Sequence, residues 1–193
     1  MEKIKVYENR PTFPFTFFIE EFFMNLLCLF NIILLNKMGE LMVIKKAYIE
    51  QLKGVTLAGK SDSNHWVMMD GSEEFGGCRA ACSPKELLLI ALGGCTANDV
   101  IPILKKKRVE LNGFEINLSG EEAGEHPKVF TKIHIEYIFY GKDIQAKDVE
   151  RAIELSTTKY CSVSAMLSKS VEMNHTYKII NSEENFKDVQ AHA

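Results

Sequence analysis

Two cysteines carry the clearest chemical signal in this chain. Cys95 sits inside the apolar stretch ELLLIALGGCTANDV, Glu86 to Val100, and Cys161 follows 66 residues later in KYCSVSAML. A thiolate is a strong nucleophile, and a helical setting can favour it over the thiol. Two thiols flanked by small or hydroxylated residues could act as a redox pair. A buried helical cysteine is also common as inert packing. On the residues alone, both readings stand.

Other residues of reactive type carry less. Cys78 and Cys82 are spaced C-x3-C beside Gly76 and Gly77, with His65 nearby. A structural metal site of that kind wants four ligands and a second pair, which is missing, so they read as loop thiols. His126, His134 and His175 have no ligand spacing. Glu86 follows Ser83 by three positions, which is the spacing of a capping residue rather than a catalytic acid. The Lys105–Arg108 run reads as a solvated helix end, and Cys28 carries no functional signal.

The elements that must position the two thiols are well punctuated. Ser83-Pro84-Lys85-Glu86 supplies an N-cap serine, a proline at the first helical position and a capping-box glutamate. The helix that starts there is apolar nearly all round from Leu87 to Leu92, which predicts burial on most sides. Gly93 and Gly94 each cost about 1 kcal/mol of helix propensity, so another backbone is expected to pack close by. Pro102 is expected to kink the helix, and Lys105 to Arg108 complement its C-terminal dipole.

On either side lie strand patterns. Val43 to Leu57 reads as one or two strands broken at Gly54, and Trp66 to Asp70 as a short one. Between this strand and Ser83, Gly71 to Cys82 reads as a loop. Phe114 to Gly120 and Val129 to Tyr140 alternate apolar with polar residues and form an antiparallel hairpin with one buried face. A helix is expected from Asp143 to Tyr160, continuing or restarting through Ser162 to Lys169, and then a strand from Val171 to Ile180. The fold class is α+β.

Composition suits one soluble globular domain: 193 residues, 46% hydrophobic, 25% charged, net charge −3. That acidic balance argues against nucleic acid as a partner. Five cysteines are too few for a secreted disulfide scaffold, so a reducing cytoplasm is the expected compartment. Residues 1–41 do not fit this picture. They are rich in Phe, Leu and Ile, and their longest uncharged run, Phe22 to Asn36, is 15 residues. That is shorter than the roughly 20 a spanning helix needs. We read them as an apolar extension outside the core: an interfacial or partner segment, a marginal anchor, or residues upstream of the working start, since Met38 and Met42 both sit just before the first well-patterned strand. Residues 42–180 form the domain, and 181–193 a polar tail.

The motif Ser83-Pro84-Lys85-Glu86-Leu87-Leu88-Leu89, with Leu92-Gly93-Gly94-Cys95-Thr96-Ala97 and Asp99-Val100, resembles the first cysteine motif of the OsmC family. This family includes the organic hydroperoxide resistance proteins. Lys159-Tyr160-Cys161-Ser162-Val163 resembles its second cysteine motif, and Pro127, Val129 and Phe130 fit the intervening hairpin. The likeness covers about residues 43–180 and is nearest the less-characterised branch. It implies antiparallel sheets around a central buried helix carrying Cys95, in an intertwined homodimer with two interface sites. It implies that Cys95 attacks an organic hydroperoxide and that Cys161 resolves the sulfenic acid as a disulfide. A dithiol reductant, lipoyl-type or a small thiol, would restore the pair. No metal, flavin or nucleotide cofactor is implied.

The chain departs from that family in one respect. Its hydroperoxide reductases activate the first cysteine with an arginine from an early strand, held by a glutamate ten residues before the cysteine. Here that position is Lys85, the acid is Glu86, and no arginine occurs between Pro11 and Cys78. Arg79, Lys85 and Glu86 are the candidate activating residues. Two functions are therefore expected from the sequence: a thiol-dependent peroxidase acting in oxidative-stress defence, or a non-catalytic dimeric stress-response protein holding an apolar ligand.

Overall fold

A computed structural model describes residues 43–181. The apolar extension and the polar tail expected from the sequence lie outside these residues, apart from Asn181, which ends the last strand. The described residues build two three-stranded sheets and a set of helices.

The first sheet is a meander. Strands β1 (Ala47–Lys53), β2 (Thr56–Ser61) and β3 (Trp66–Met69) pair antiparallel in sequence order. Gly54 turns β1 into β2 with φ +58, a left-handed conformation that glycine adopts without steric cost. Tyr48, Lys60 and Trp66 line up across the sheet on one face, and Ile49, Gly59 and Val67 on the other. Among the described residues both faces carry exposed apolar side chains. Ile49 is 57% exposed and Trp66 49%, with Tyr48, Val67 and Met68 also exposed.

The loop from Gly71 carries a short 3₁₀ turn, Glu73–Phe75, and leads to helix α1 (Pro84–Lys106). The expected capping box is present: Glu86 N–H donates to Ser83 Oγ at 3.3 Å, and Ser83 N–H donates to Glu86 Oε2 at 2.6 Å. The helix runs on through Pro102 to Lys106. Its buried residues Leu92, Thr96, Val100 and Leu104 form one narrow row four residues apart, with Gly93 beside it.

The expectation that this helix is buried on most sides is corrected. Leu88, Ile90 and Ile101 are exposed, Ile90 at 57%, and Ala91 and Gly94 lie on the same open side. By length and apolarity α1 passes for a membrane-crossing helix. Its buried row is instead packed into the core of its own chain.

The second sheet forms that core. β4 (Gly113–Glu122) and β5 (Phe130–Gly141) make the expected antiparallel hairpin, with Ile116 opposite Tyr137 and Leu118 opposite Ile135. The chain then crosses over through helix α2 (Ala146–Leu155), a π-helical turn (Ser156–Tyr160) and helix α3 (Ser162–Leu167). It returns as β6 (Glu172–Asn181), parallel to β5. The sheet is thus mixed, not antiparallel throughout, because a helical crossover brings the next strand back in the same direction. Helix α2 begins at Ala146 and not at Asp143, whose φ is +53. Leu92, Val100 and Leu104 of α1 join Ile133, Ile135, Tyr137 and Phe139 of β5, with Val149, Ala152 and Ile153 of α2, in one closed apolar cluster.

Candidate functional site: two thiols and a carboxylate

Helix α1 presents Cys95 and Asp99 one turn apart on one side, the i, i+4 relation. Cys161 comes from the far end of the crossover. It follows the π turn directly and caps α3, and its backbone N–H donates to Ser156 O at 2.8 Å. A π turn takes one more residue per turn than an α-helix, and such insertions recur at functional sites. The result brings the two cysteine motifs together. The sulfurs of Cys95 and Cys161 and a carboxylate oxygen of Asp99 all lie within 4.8 Å of one another.

The two thiols are not equivalent. Cys161 is 2% exposed, whereas Cys95 is half-buried. Burial pushes the Cys161 thiol up, but hydrogen bonds outweigh it and leave it below its ordinary value. Ser164 N–H donates to its sulfur at 3.4 Å, Thr96 Oγ1 lies 3.6 Å away, and the Cys95 thiol adds a further contact. The Ser164 hydroxyl, buried and without a partner in good hydrogen-bond geometry, also lies near enough to favour the thiolate. Thr96 in turn donates to Leu92 O at 2.9 Å, which fixes its rotamer inside the helix. Beneath the site, burial and then the Cys161 charge raise the Tyr137 phenol well above its usual range. Its hydroxyl meets His175 Nδ1 at 3.0 Å, and burial lowers the His175 imidazole.

Asp99 is the member that sequence reasoning missed. Ser156 Oγ, fully buried, donates to Asp99 Oδ2 at 3.0 Å, so the π turn that delivers Cys161 also orients this carboxylate. The available signal was its i, i+4 spacing from Cys95. Among the described residues Asp99 has no ion pair.

The three candidate activating residues are engaged elsewhere in the protomer. Glu86 is held by its own N-cap, and Ser83 N–H followed by the Ser83 hydroxyl lowers its carboxyl. Lys85 pairs with Glu122 at 2.5 Å, donates to Lys128 O at 3.3 Å and lies over the Phe130 ring. Arg79 sits 3.7 Å from Glu73 on the exposed loop, with φ +53. Cys78 serves a different centre. Its S–H and N–H both donate to Asp70 Oδ2, at 3.3 and 3.0 Å, alongside Ala80 N–H at 2.9 Å. Thr56 Oγ1 and Gly71 N–H donate to Asp70 Oδ1. These donors, Ala80 and Cys78 N–H foremost, hold the buried Asp70 carboxyl far below the usual range. The cluster ties the end of β3 to the loop that leads into α1.

Comparison with known proteins bears on the family and the fold. Residues 76–176 match the family described as OsmC-like protein. Protein YhfA of Escherichia coli strain K12 is 40% identical over 135 residues, spanning 70% of this chain and 98% of its own. The crystal structure of a hypothetical protein from Aquifex aeolicus VF5 is 33% identical, covers 74% of this chain and 100% of its own, and has a TM-score of 0.66. An organic hydroperoxide resistance protein OsmC from Legionella pneumophila shares the fold at 11% identity, with a TM-score of 0.57 over 72% of this chain and 99% of that one. With two cysteine motifs joined in one site on this fold, the chain belongs to the OsmC-like family.

Proposed function

We propose that the protein reduces organic hydroperoxides through Cys95 and Cys161 in a cytoplasmic, stress-protective role. The observation that carries this reading is the approach of the two sulfurs to within 4.8 Å, one half-exposed and one buried. A hydroperoxide reaches the half-exposed Cys95. As its sulfur attacks the distal oxygen, the departing alkoxide takes up a proton. The O–O bond breaks, the alcohol leaves, and Cys95 becomes a sulfenic acid. Cys161 then attacks that sulfur, and its hydroxyl departs as water with one further proton. The disulfide is the two-electron oxidised state, and a dithiol reductant returns both thiols by exchange. The resistance-protein description of the Legionella relative is in keeping with this substrate class.

The same reading makes the working unit a homodimer with the site at the interface. Its support is the open apolar side of α1 and the two uncovered faces of the β1–β3 sheet. Gly94 lies on that open side with empty space where a Cβ would stand, which leaves room for a partner backbone.

Mass spectrometry of reduced protein after one equivalent of cumene hydroperoxide tests the chemistry. A Cys95–Cys161 disulfide is expected, with turnover when dithiol is supplied. Cys95→Ser abolishes turnover, while Cys161→Ser gives a single turnover that stops at the sulfenic acid. Wild-type protein that leaves hydroperoxide untouched with every dithiol would end the enzymatic reading. A second reading, a non-catalytic dimer that binds an apolar ligand, is favoured by the engagement of Arg79, Lys85 and Glu86 away from the sulfurs. It predicts slow alkylation of Cys95 and a co-purifying apolar molecule.

A further inference from the structure

We propose that the reduced protein binds one thiophilic divalent cation of the zinc class between the sulfurs of Cys95 and Cys161 and the carboxylate of Asp99. The three ligand atoms lie within 4.8 Å of one another. A tetrahedral zinc ion holds sulfur at about 2.3 Å and oxygen at about 2.0 Å, which sets its ligand atoms roughly 3.5–3.8 Å apart. Closing the trio onto an ion thus needs side-chain shifts of about an ångström and no rebuilt backbone.

Charge argues in the same direction. Two thiols and a carboxylate converge on one point, and among the described residues no lysine, arginine or histidine pairs with Asp99. Arg79 and Lys85 pair instead with Glu73 and Glu122. Such a cluster is self-repelling when ionised, and a bound cation relieves it.

The surroundings are those of a held ligand set. Buried Ser156 Oγ donates to Asp99 Oδ2 at 3.0 Å, which leaves Oδ1 for an ion. Thr96 Oγ1 and Ser164 N–H lie 3.6 and 3.4 Å from the Cys161 sulfur. The buried Ser164 hydroxyl has no hydrogen-bond partner of its own beside that sulfur. Outer contacts of this kind orient metal ligands and tune their basicity. Two sulfurs select soft or borderline ions over magnesium or calcium. Three protein ligands with Cys95 half-exposed leave a fourth position open to solvent. Ion and disulfide exclude each other, since the disulfide uses the same two sulfurs. The site stands independently of peroxide turnover.

The test uses full-length protein, reduced and stripped with a chelator, titrated with cadmium and with zinc. One cadmium per protomer is expected, with an ultraviolet sulfur-to-metal charge-transfer band of two-thiolate intensity. Zinc is expected to shield the half-exposed Cys95 from iodoacetamide while Cys78 and Cys82 still react, as mapped by peptide mass. Asp99→Asn keeps the side-chain volume and an acceptor for Ser156, and should weaken zinc binding by roughly tenfold or more. Cys78→Ser with Cys82→Ser should bind as wild type does. No charge-transfer band in wild-type protein, shielding confined to Cys78 and Cys82, or wild-type affinity in a folded Asp99→Asn would each overturn the proposal. Should Asp99→Asn fail to fold, the band and the shielding pattern in wild-type protein still decide. Peroxide turnover by chelator-treated protein is scored separately, so either claim can fail alone.

Discussion

The two sheets of this protein are built to different standards of completeness. β4–β6 is closed from within, since β5 buries Ile133, Ile135, Tyr137 and Phe139 completely beneath α1 and α2. β1–β3 leaves Ile49 and Val67 exposed on one face and Tyr48 and Trp66 on the other. Ordered three-stranded sheets need apolar cover to be stable alone, and open patches of this kind mark interaction surfaces. The contrast teaches that one region covers its own apolar residues, while the other leaves them exposed among the described residues. The thiols lie at the margin between the two conditions: Cys161 belongs to the closed core, and Cys95 lies half-exposed on the helix whose far side is open.

The strongest way to break this comparison is to charge the open sheet. Ile49→Glu with Val67→Glu removes two apolar contacts, each worth about 1.5–3 kcal/mol when buried. Association should weaken by roughly a hundredfold or more. Sedimentation should then show monomers with the far-ultraviolet helix signal kept. A wild-type protein that is already monomeric at micromolar concentration would remove the contrast. Next in size, Ile135→Ala in the closed sheet should cost about 2–5 kcal/mol in denaturant unfolding, because the site cannot collapse around the lost side chain.

Two adjacent glycines sharpen the comparison further. A Cβ at Gly93 would stand 2.7 Å from Leu118 Cδ1, whereas one at Gly94 meets open space in the protomer. Gly93→Ala should therefore destabilise by about 1–3 kcal/mol through overpacking. Gly94→Ala should gain roughly 1 kcal/mol of helix propensity if its side stays open. A loss in Gly94→Ala, measured by thermal unfolding, signals a partner backbone against that position.

The smallest expected effect is on pH. Asp70 has its carboxyl lowered on folding, chiefly by Ala80 and Cys78 N–H. A lowered folded value stabilises above the unfolded carboxylate range and loses that stabilisation as pH falls toward the folded value. Asp70→Asn should flatten the acid limb of the stability profile below about pH 4, the unfolded aspartate range, and leave the neutral fold in place.

What was legible in the sequence was local. The Ser83 capping box, the β4–β5 alternation and the two cysteine motifs each announce themselves within a few residues. What was not legible depended on distance or on a partner. Ile90 and Leu92 are chemically alike, yet one is exposed and the other buried, because periodicity does not say which face its own chain will cover. The direction of β6 is not written in its alternation but in the crossover before it. Gly93 and Gly94 were expected to admit a backbone; Gly93 instead admits the Leu118 side chain. Asp99 stood inside a quoted motif, but its part in the site follows only from the Ser156 contact across the fold.

The π turn at Ser156–Tyr160 has a consequence in angular phase. Each residue of a regular helix advances the chain by about 100°. One residue fewer between Ser156 and Cys161 would swing the sulfur roughly that far around the axis, away from Cys95, while Ser156, ahead of the change, kept its place beside Asp99. The meeting of the two sulfurs is thus set by a single count of residues. A one-residue deletion there would leave every functional group in the chain and still dismantle the constellation.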